Sequence, residues 1–249
     1  MRLIVYLLFL LFPLVSFSQS TTEALAMGQD VNVLFRNEAT GSIFMHSRGF
    51  GANFRRLYHV TGKRKRLFEI EMANMRHPKE EKKKNDGQRS YFYGKLNNLL
   101  MVRFGYGYQQ TLYRRAERKG LEVRMVYAGG PSLCFSKPVF LVVSYQDTLF
   151  GGGVLTKTVA YNPAQDNIVN ILGRAPMFYG LQDTKIIPGL YAKLGFSIEY
   201  GELRNSIKAV EVGVIVDYFP QSAPLMAYVT PEKFFVTLYL GFHFGKRWY

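Results

Sequence analysis

One stretch limits the chain more than any other. From Phe234 to Phe244 (FFVTLYLGFHF) every second residue is large and apolar. Phe234, Val236, Leu238, Leu240, Phe242 and Phe244 share one parity, and Phe235, Thr237, Tyr239, Gly241 and His243 share the other. A helix would scatter the first set around its circumference, whereas a strand sends successive side chains to opposite faces. The segment reads as a strand with one wholly apolar face and one smaller, more polar face. Its length, about 11 residues, is what a tilted strand needs to cross a bilayer. Trp248 and Tyr249 follow, where an interfacial aromatic belt would lie.

The alternation recurs upstream. Phe68, Ile70 and Met72 alternate with Glu69, Glu71 and Ala73, and Leu100 to Tyr108 alternates with Met101, Arg103, Gly105, Gly107 and Gln109. Leu121, Val123, Met125 and Tyr127 oppose Glu122, Arg124, Val126 and Ala128. The same outward parity is expected to continue past Pro131 through Leu133, Phe135, Val139, Leu141 and Val143. Leu190 to Ile198 opposes Tyr191, Lys193, Gly195, Ser197 and Glu199, and Val210 to Val216 opposes Ala209, Glu211, Gly213, Ile215 and Asp217. Two further strands are weaker. Asp30–Asn37 is expected to be the first, closed by a tight connection over Glu38–Gly41, with Ser42–Leu57 the second. Within the latter, Phe50, Ala52 and Phe54 share parity with His46 and Arg48, which a bulge near Gly49 and Gly51 would reconcile.

These segments make eight strands between Asp30 and the last residue. The connections near Thr61, over 114–120 and over 201–206 are short; those over 76–89, 146–187 and 219–233 are long. Short turns alternating with long loops is the pattern of outer-membrane barrels. Dropping the first strand and taking Gly129-Gly130-Pro131 as a turn also gives eight, but breaks that length rule. The 146–187 segment, with Gly151-Gly152-Gly153 and a helical turn expected near Asn167–Leu172, reads as a surface excursion. The expected fold is therefore all-β: an eight-stranded antiparallel up-and-down transmembrane β-barrel with long extracellular loops, over residues 30–249.

The N-terminal residues suit that reading. Arg2, the apolar run Leu3–Leu14 and Ser16-Phe17-Ser18 form a signal peptide over residues 1–18, with Gln19 as the expected new N-terminus and 19–29 a short tail. Past it no apolar run is long enough for a membrane helix. The single cysteine, Cys134, makes neither an internal disulfide nor a metal site. A net charge of +14 in an exported chain argues for solubility or for anionic lipid headgroups and against nucleic acid.

The faces opposite the apolar ones are charged. Glu69, Glu71, Glu122, Glu199, Glu211 and Asp217 share inward parity with Arg103, Arg124 and Lys193. On a lipid-facing surface a midplane charge costs roughly 2–4 kcal/mol, and an eight-stranded barrel is only wide enough for side chains to fill it. The nine groups are expected to meet as a buried hydrogen-bonded and ion-paired core, with Arg48, Arg55, a protonated acid or trapped water making up the difference between six acids and three bases. A narrow ion path is the functional alternative. Catalysis at a barrel rim needs a histidine beside a serine or an acid. His46 and Ser47 are adjacent and so point to opposite faces of a strand, His243 faces inward, and His77 sits in a charged loop before Pro78. No nucleophile elbow, metal-spaced set or phosphate loop is present, so no catalytic, cofactor-binding or metal residue is expected. A lipid A-modifying enzyme stays the alternative of that class.

With Ser-Phe-Ser-Gln19, the aromatic last strand, Tyr93–Gly107 (YGKLNNLLMVRFGYG) and Lys137–Leu141 (KPVFL), the sequence resembles small outer-membrane β-barrels of the Bacteroidetes type. That class includes the membrane domain of outer-membrane protein A and barrels associated with type IX secretion. The resemblance implies no cofactor and a role as an anchor, scaffold or machine subunit. No peptidoglycan-binding domain of the outer-membrane protein A kind is expected after the barrel. Both termini would face the periplasm, and the partners would be outer-membrane lipid or lipopolysaccharide and another envelope protein. The candidate contact residues lie in the loops: Tyr91, Phe92 and Tyr93, Met177, Phe178 and Tyr179, and Leu225 to Tyr228, all expected to be exposed apolar groups.

Overall fold

The computed structural model describes residues 36–83, 90–114, 120–146, 154–163, 171–176, 178–200 and 206–248. The signal peptide over 1–18 and the tail over 19–29 lie outside them. Eight strands close on themselves: β1 (Asn37–His46), β2 (Gly49–His59), β3 (Arg64–Met75), β6 (Asn97–Tyr113), β7 (Glu122–Pro138), β11 (Lys185–Glu199), β12 (Ser206–Ala223) and β13 (Glu232–Trp248). Each pairs antiparallel with the barrel strand before and after it in sequence, and β1 pairs with β13 to seal the cylinder. The fold is an all-β, eight-stranded up-and-down barrel. The remaining strands sit beyond one end: β4 (Lys82–Lys83) with β5 (Tyr91–Phe92), and β8 (Phe140–Gln146) between β9 (Val154–Ala160) and β10 (Ile171–Arg174).

The period-two pattern dictates the wall. Phe234, Val236, Leu238, Leu240, Phe242 and Phe244 are all exposed on the outside of β13, and Phe235, Thr237, Tyr239 and His243 are all buried inside. Ile70 opposite Phe104, Phe196 opposite Met125 and Val212 opposite Leu240 continue the same apolar exterior onto neighbouring strands. Among the described residues no helix is long and apolar enough to cross a membrane.

Three expectations are corrected. The first described strand is Asn37–His46; residues 30–35 of the expected Asp30–Asn37 lie outside the described set, and Glu38–Gly41 lies within β1 rather than forming a turn. The stretch Ser42–Leu57 is not one strand with a bulge: a two-residue hairpin at Ser47-Arg48 divides it, with His46 paired to Gly49. The parity conflict arises because the chain reverses there. Gly49 has φ +151°, and a Cβ on it would meet the Asn74 carbonyl oxygen at 2.3 Å, so only glycine closes this turn. Gly129-Gly130-Pro131 runs inside β7, as the preferred reading expects and its alternative does not, and a Cβ on Gly130 would strike the Phe104 carbonyl of β6.

The third concerns Val139, Leu141 and Val143. They do not continue the lipid-side parity of β7, because the barrel strand ends at Pro138 and the chain enters the small sheet as β8. There the three residues are buried with Tyr91, Tyr161, Ile171 and Ala227. The helical turn expected near Asn167–Leu172 is strand at Ile171 and Leu172, and residues 167–170 lie outside the described set. The long connections thus fold into a cap. Backbone hydrogen bonds from Leu96 N to Leu225 O, Val139 N to Leu96 O and Ala227 N to Gly94 O join the three connections to one another, and Asn97 N of β6 donates to Leu225 O.

Candidate functional site

The lumen is filled in tiers. Farthest from the cap, Glu38 accepts from Lys65 at 2.5 Å and from Arg247 at 2.7 Å, and Arg124 bridges Glu122 and Glu199 at 2.8 and 2.6 Å. Arg247 also reaches Glu199. Apolar Leu57, Leu67, Val126 and Ala128 pack within the same lumen. At mid-height Arg55 donates to Glu69 at 2.8 Å and forks onto both oxygens of Glu211 at 2.6 and 2.7 Å. Arg103 forks onto Asp217 at 2.8 and 2.7 Å and also donates to Glu71, which Lys193 meets at 2.6 Å. Forked arginine–carboxylate geometry is the strong form of such pairing.

Two tyrosines lock the middle tiers. Tyr191 donates to Glu69 at 2.9 Å and Tyr239 to Glu211 at 2.7 Å, and the Lys193 ammonium sits 4.5 Å above the Tyr239 ring. Their reach depends on glycine. A Cβ on Gly105 would lie 1.9 Å from the Tyr191 hydroxyl, and one on Gly195 2.2 Å from that of Tyr239. Gly105 of β6 thus makes room for a tyrosine that reaches over from β11, two strands away. Between the lower tiers remains a water-sized space bordered by Glu38, Thr40, Arg55, Gln109, Arg124 and His243.

The structure brings Glu69, Glu71, Arg103, Arg124, Lys193, Glu199, Glu211 and Asp217 into this lumen as buried groups, with Glu122 half-buried at its edge. Three participants escaped the sequence reading: Glu38, Lys65 and Arg247. Glu38 falls in an expected turn, and Lys65 and Arg247 lie outside the alternating stretches, because the strands holding them run farther than their apolar alternation. Arg55 supplies positive charge to the middle tier, whereas Arg48 pairs with Glu232 near the cap.

Above the charges the lumen turns apolar. Met75, Leu99, Met101, Cys134, Ile187, Phe219 and Phe235 from the barrel pack with Leu225 and Met226 from the β12–β13 connection. This plug meets the cap core, and it overturns part of the expected contact surface. Tyr91, Leu225, Met226 and Ala227 are buried rather than exposed, and Phe92 and Tyr93 are half-buried, because they close the cap onto the barrel. Phe178 and Tyr179 are exposed, and so is Leu181 beside them; Met177 lies outside the described residues. Tyr228 is 80% exposed at φ +62°, with its hydroxyl donating to the Pro163 carbonyl at 3.0 Å. A bulky side chain in left-handed backbone is uncommon and costs about 1–3 kcal/mol.

The histidines do not assemble a nucleophile pair among the described residues. His46 lies buried, accepting from the Arg48 amide through Nδ1; His243 Nε2 is 3.5 Å from Glu211; His77 accepts from the Lys79 amide.

No family model matches the chain, and no curated protein matches it. Among solved structures it is similar to Neisserial surface protein A (NspA), at 9% identity over 86% of this chain and 97% of that one, with a TM-score of 0.41. It is also similar to the N-terminal β-barrel domain of Pseudomonas aeruginosa OprF, at 8% identity over 85% and 99%, TM-score 0.39. A third is Ail, the attachment invasion locus protein of Yersinia pestis, in complex with the heparin analogue sucrose octasulfate, at 8% identity over 86% and 99%, TM-score 0.36. The fold rests on the strand pairing above and not on these likenesses.

Proposed function

We propose that the chain is a non-enzymatic outer-membrane barrel, its short turns toward the periplasm, that holds its folded cap out to another envelope protein as a scaffold or accessory subunit of an outer-membrane assembly or secretion machine. The observation that carries this reading is the division of labour along the barrel axis. The lumen is packed with paired charges and then stoppered by an apolar plug, which disfavours a conducting role. The long connections, by contrast, fold into a cap with a core of its own, and loops held on rigid scaffolds are where binding concentrates. On that cap Phe178, Tyr179, Leu181 and the strained Tyr228 stay exposed, the residue types that anchor protein interfaces.

Photo-crosslinkers placed at Phe178 and Tyr228 in the native membrane test this, with Leu238 on the barrel wall as comparison. The reading expects a discrete protein adduct from the two cap positions and lipid adducts from the wall. Lipopolysaccharide adducts alone from the cap, or single-channel conductance of the purified barrel, would contradict it.

A further inference from the structure

The outer wall at the turn end of the barrel has a chemistry that neither the lumen nor the cap uses. On the outward parity there, Arg56 of β2, Arg64 and Arg66 of β3, Lys208 of β12 and Lys246 of β13 are all exposed. Among the described residues every acid at that end, Glu38, Glu122 and Glu199, belongs to the lumen and is paired there. Outside, two of the five cations lie over aromatic rings. Arg56 lies over Tyr58 at 5.4 Å and over Trp248 at 5.7 Å, and Arg64 over Tyr108 at 3.8 Å. The rings continue sideways, Tyr58 against Phe68, Phe68 against Tyr106 and Tyr108 against Tyr127, as a girdle. Aromatic belts mark the headgroup level of a bilayer.

The register brings these cations together. Ala39 of β1 pairs with Lys246 on one side and with Arg56 on the other, so the two cations stand two strand spacings, about 10 Å, apart across a small residue. Arg66 pairs with Tyr58, one strand beyond Arg56. Toward the membrane centre from Ala39 comes Gly41, flanked by Phe244 and Phe54, both exposed, and a Cβ on Gly41 would meet nothing within 4 Å. Cations at the girdle stand above an apolar wall open to lipid.

We propose that the β13–β1–β2–β3 face is a docking surface for an anionic phospholipid, its phosphate between Lys246, Arg56 and Arg66 and its chain against Phe244 and Phe54. Charge complementarity selects this occupant: the patch is purely cationic among the described residues, and the surface around it belongs in lipid, where phosphate is the anion at headgroup depth. Trp248 and Tyr58 hold the Arg56 guanidinium at that depth by cation–π contact. The inference rests on membrane insertion and not on the partner proposed for the cap.

The chain's single tryptophan is the reporter, since Trp248 sits in the patch. The full barrel is inserted into phosphatidylcholine vesicles carrying a minor fraction of brominated lipid, either phosphatidylglycerol or phosphatidylcholine, and Trp248 quenching is compared. The proposal expects brominated phosphatidylglycerol to quench at lower mole fraction, by roughly five-fold for each cation engaged. It expects the preference to fall in R56Q/K246Q and to survive in K157Q/K185Q, which removes the same charge from exposed positions at the opposite end, on β9 and at the start of β11. Gly41→Leu should weaken quenching by both lipids without loss of the barrel. Equal quenching by the two lipids in wild type overturns the proposal with no variant needed. So does an undiminished preference in R56Q/K246Q, an equal loss in K157Q/K185Q, or an acidic protein crosslinked to position 246 in place of lipid. Absence of quenching by either lipid would instead remove membrane insertion itself, and the proposed function with it.

Discussion

The barrel lumen and the cap are both buried, yet they are filled with opposite chemistry. Inside the barrel Arg55, Arg103 and Lys193 sit among Glu69, Glu71, Glu211 and Asp217, with side chains almost wholly removed from solvent. In the cap Tyr91, Val139, Leu141, Val143 and Ile171 form an ordinary apolar core. The difference teaches what turning the apolar parity outward does to a sequence. A barrel wall in lipid must put its apolar parity outward, leaving polar parity for the inside, where charges survive only if they neutralise each other. The cap is not bound by that inversion and folds with its greasy residues inward. Val139, Leu141 and Val143 change role within a few residues for this reason.

The contrast can be broken most severely at Arg103. Arg103→Leu strands Asp217 and half of the Glu71 pairing in a dry lumen and should cost about 3–5 kcal/mol of global stability, read as a lowered urea midpoint for loss of heat-modifiable barrel in vesicles. An unchanged midpoint would mean that the ion pairs are dispensable. Leu141→Ala probes the other region. It should cost about 3 kcal/mol, confined to the cap, so that protease cuts the cap at lower enzyme concentration while the barrel midpoint stays put. Equal loss in both readouts would show that cap and barrel unfold as one unit. Gly105→Ala sharpens the lumen side, because the new Cβ meets the Tyr191 hydroxyl; about 1–3 kcal/mol of barrel stability should go, and Tyr191→Phe in the same chain should not restore it fully, since Glu69 Cγ would still lie 2.5 Å from that Cβ. The smallest effect is expected at the apex of the cap. Tyr228→Gly removes left-handed strain along with one hydroxyl contact, so cap stability should change by less than about 1 kcal/mol while crosslinked partner is lost.

Legibility in the sequence followed how far each face had to obey a single rule. Strands β3, β6, β11, β12 and β13 were readable because an apolar exterior and a charged interior impose alternation on them. The β1–β2 hairpin was not, because its two-residue turn at Ser47-Arg48 lacks the length of a loop, and its outward residues Ala39 and Gly41 carry little apolar signal. The inward charges of β3, β6 and β7 could be named in advance from parity alone. Arg55 was recognised only as a possible source of positive charge, since parity in its strand was obscured by the unrecognised turn. The cap was illegible for a different reason: its core joins Tyr91, Ile171 and Ala227 from separate connections, and such pairing leaves no local period.

The claim beneath all of this is that the even-numbered face of β13 touches lipid and the odd-numbered face does not. Nitroxide scanning from residue 234 to residue 244, one site at a time with Cys134→Ser as background, measures it directly through collision with oxygen dissolved in the bilayer and with a water-soluble nickel chelate. The account expects oxygen accessibility to oscillate with a period of two, high at positions 234, 236, 238, 240, 242 and 244 and low at the residues between, with nickel excluded from mid-strand sites of both parities. Even-numbered sites shielded from oxygen, or open to nickel along the whole strand, would contradict it.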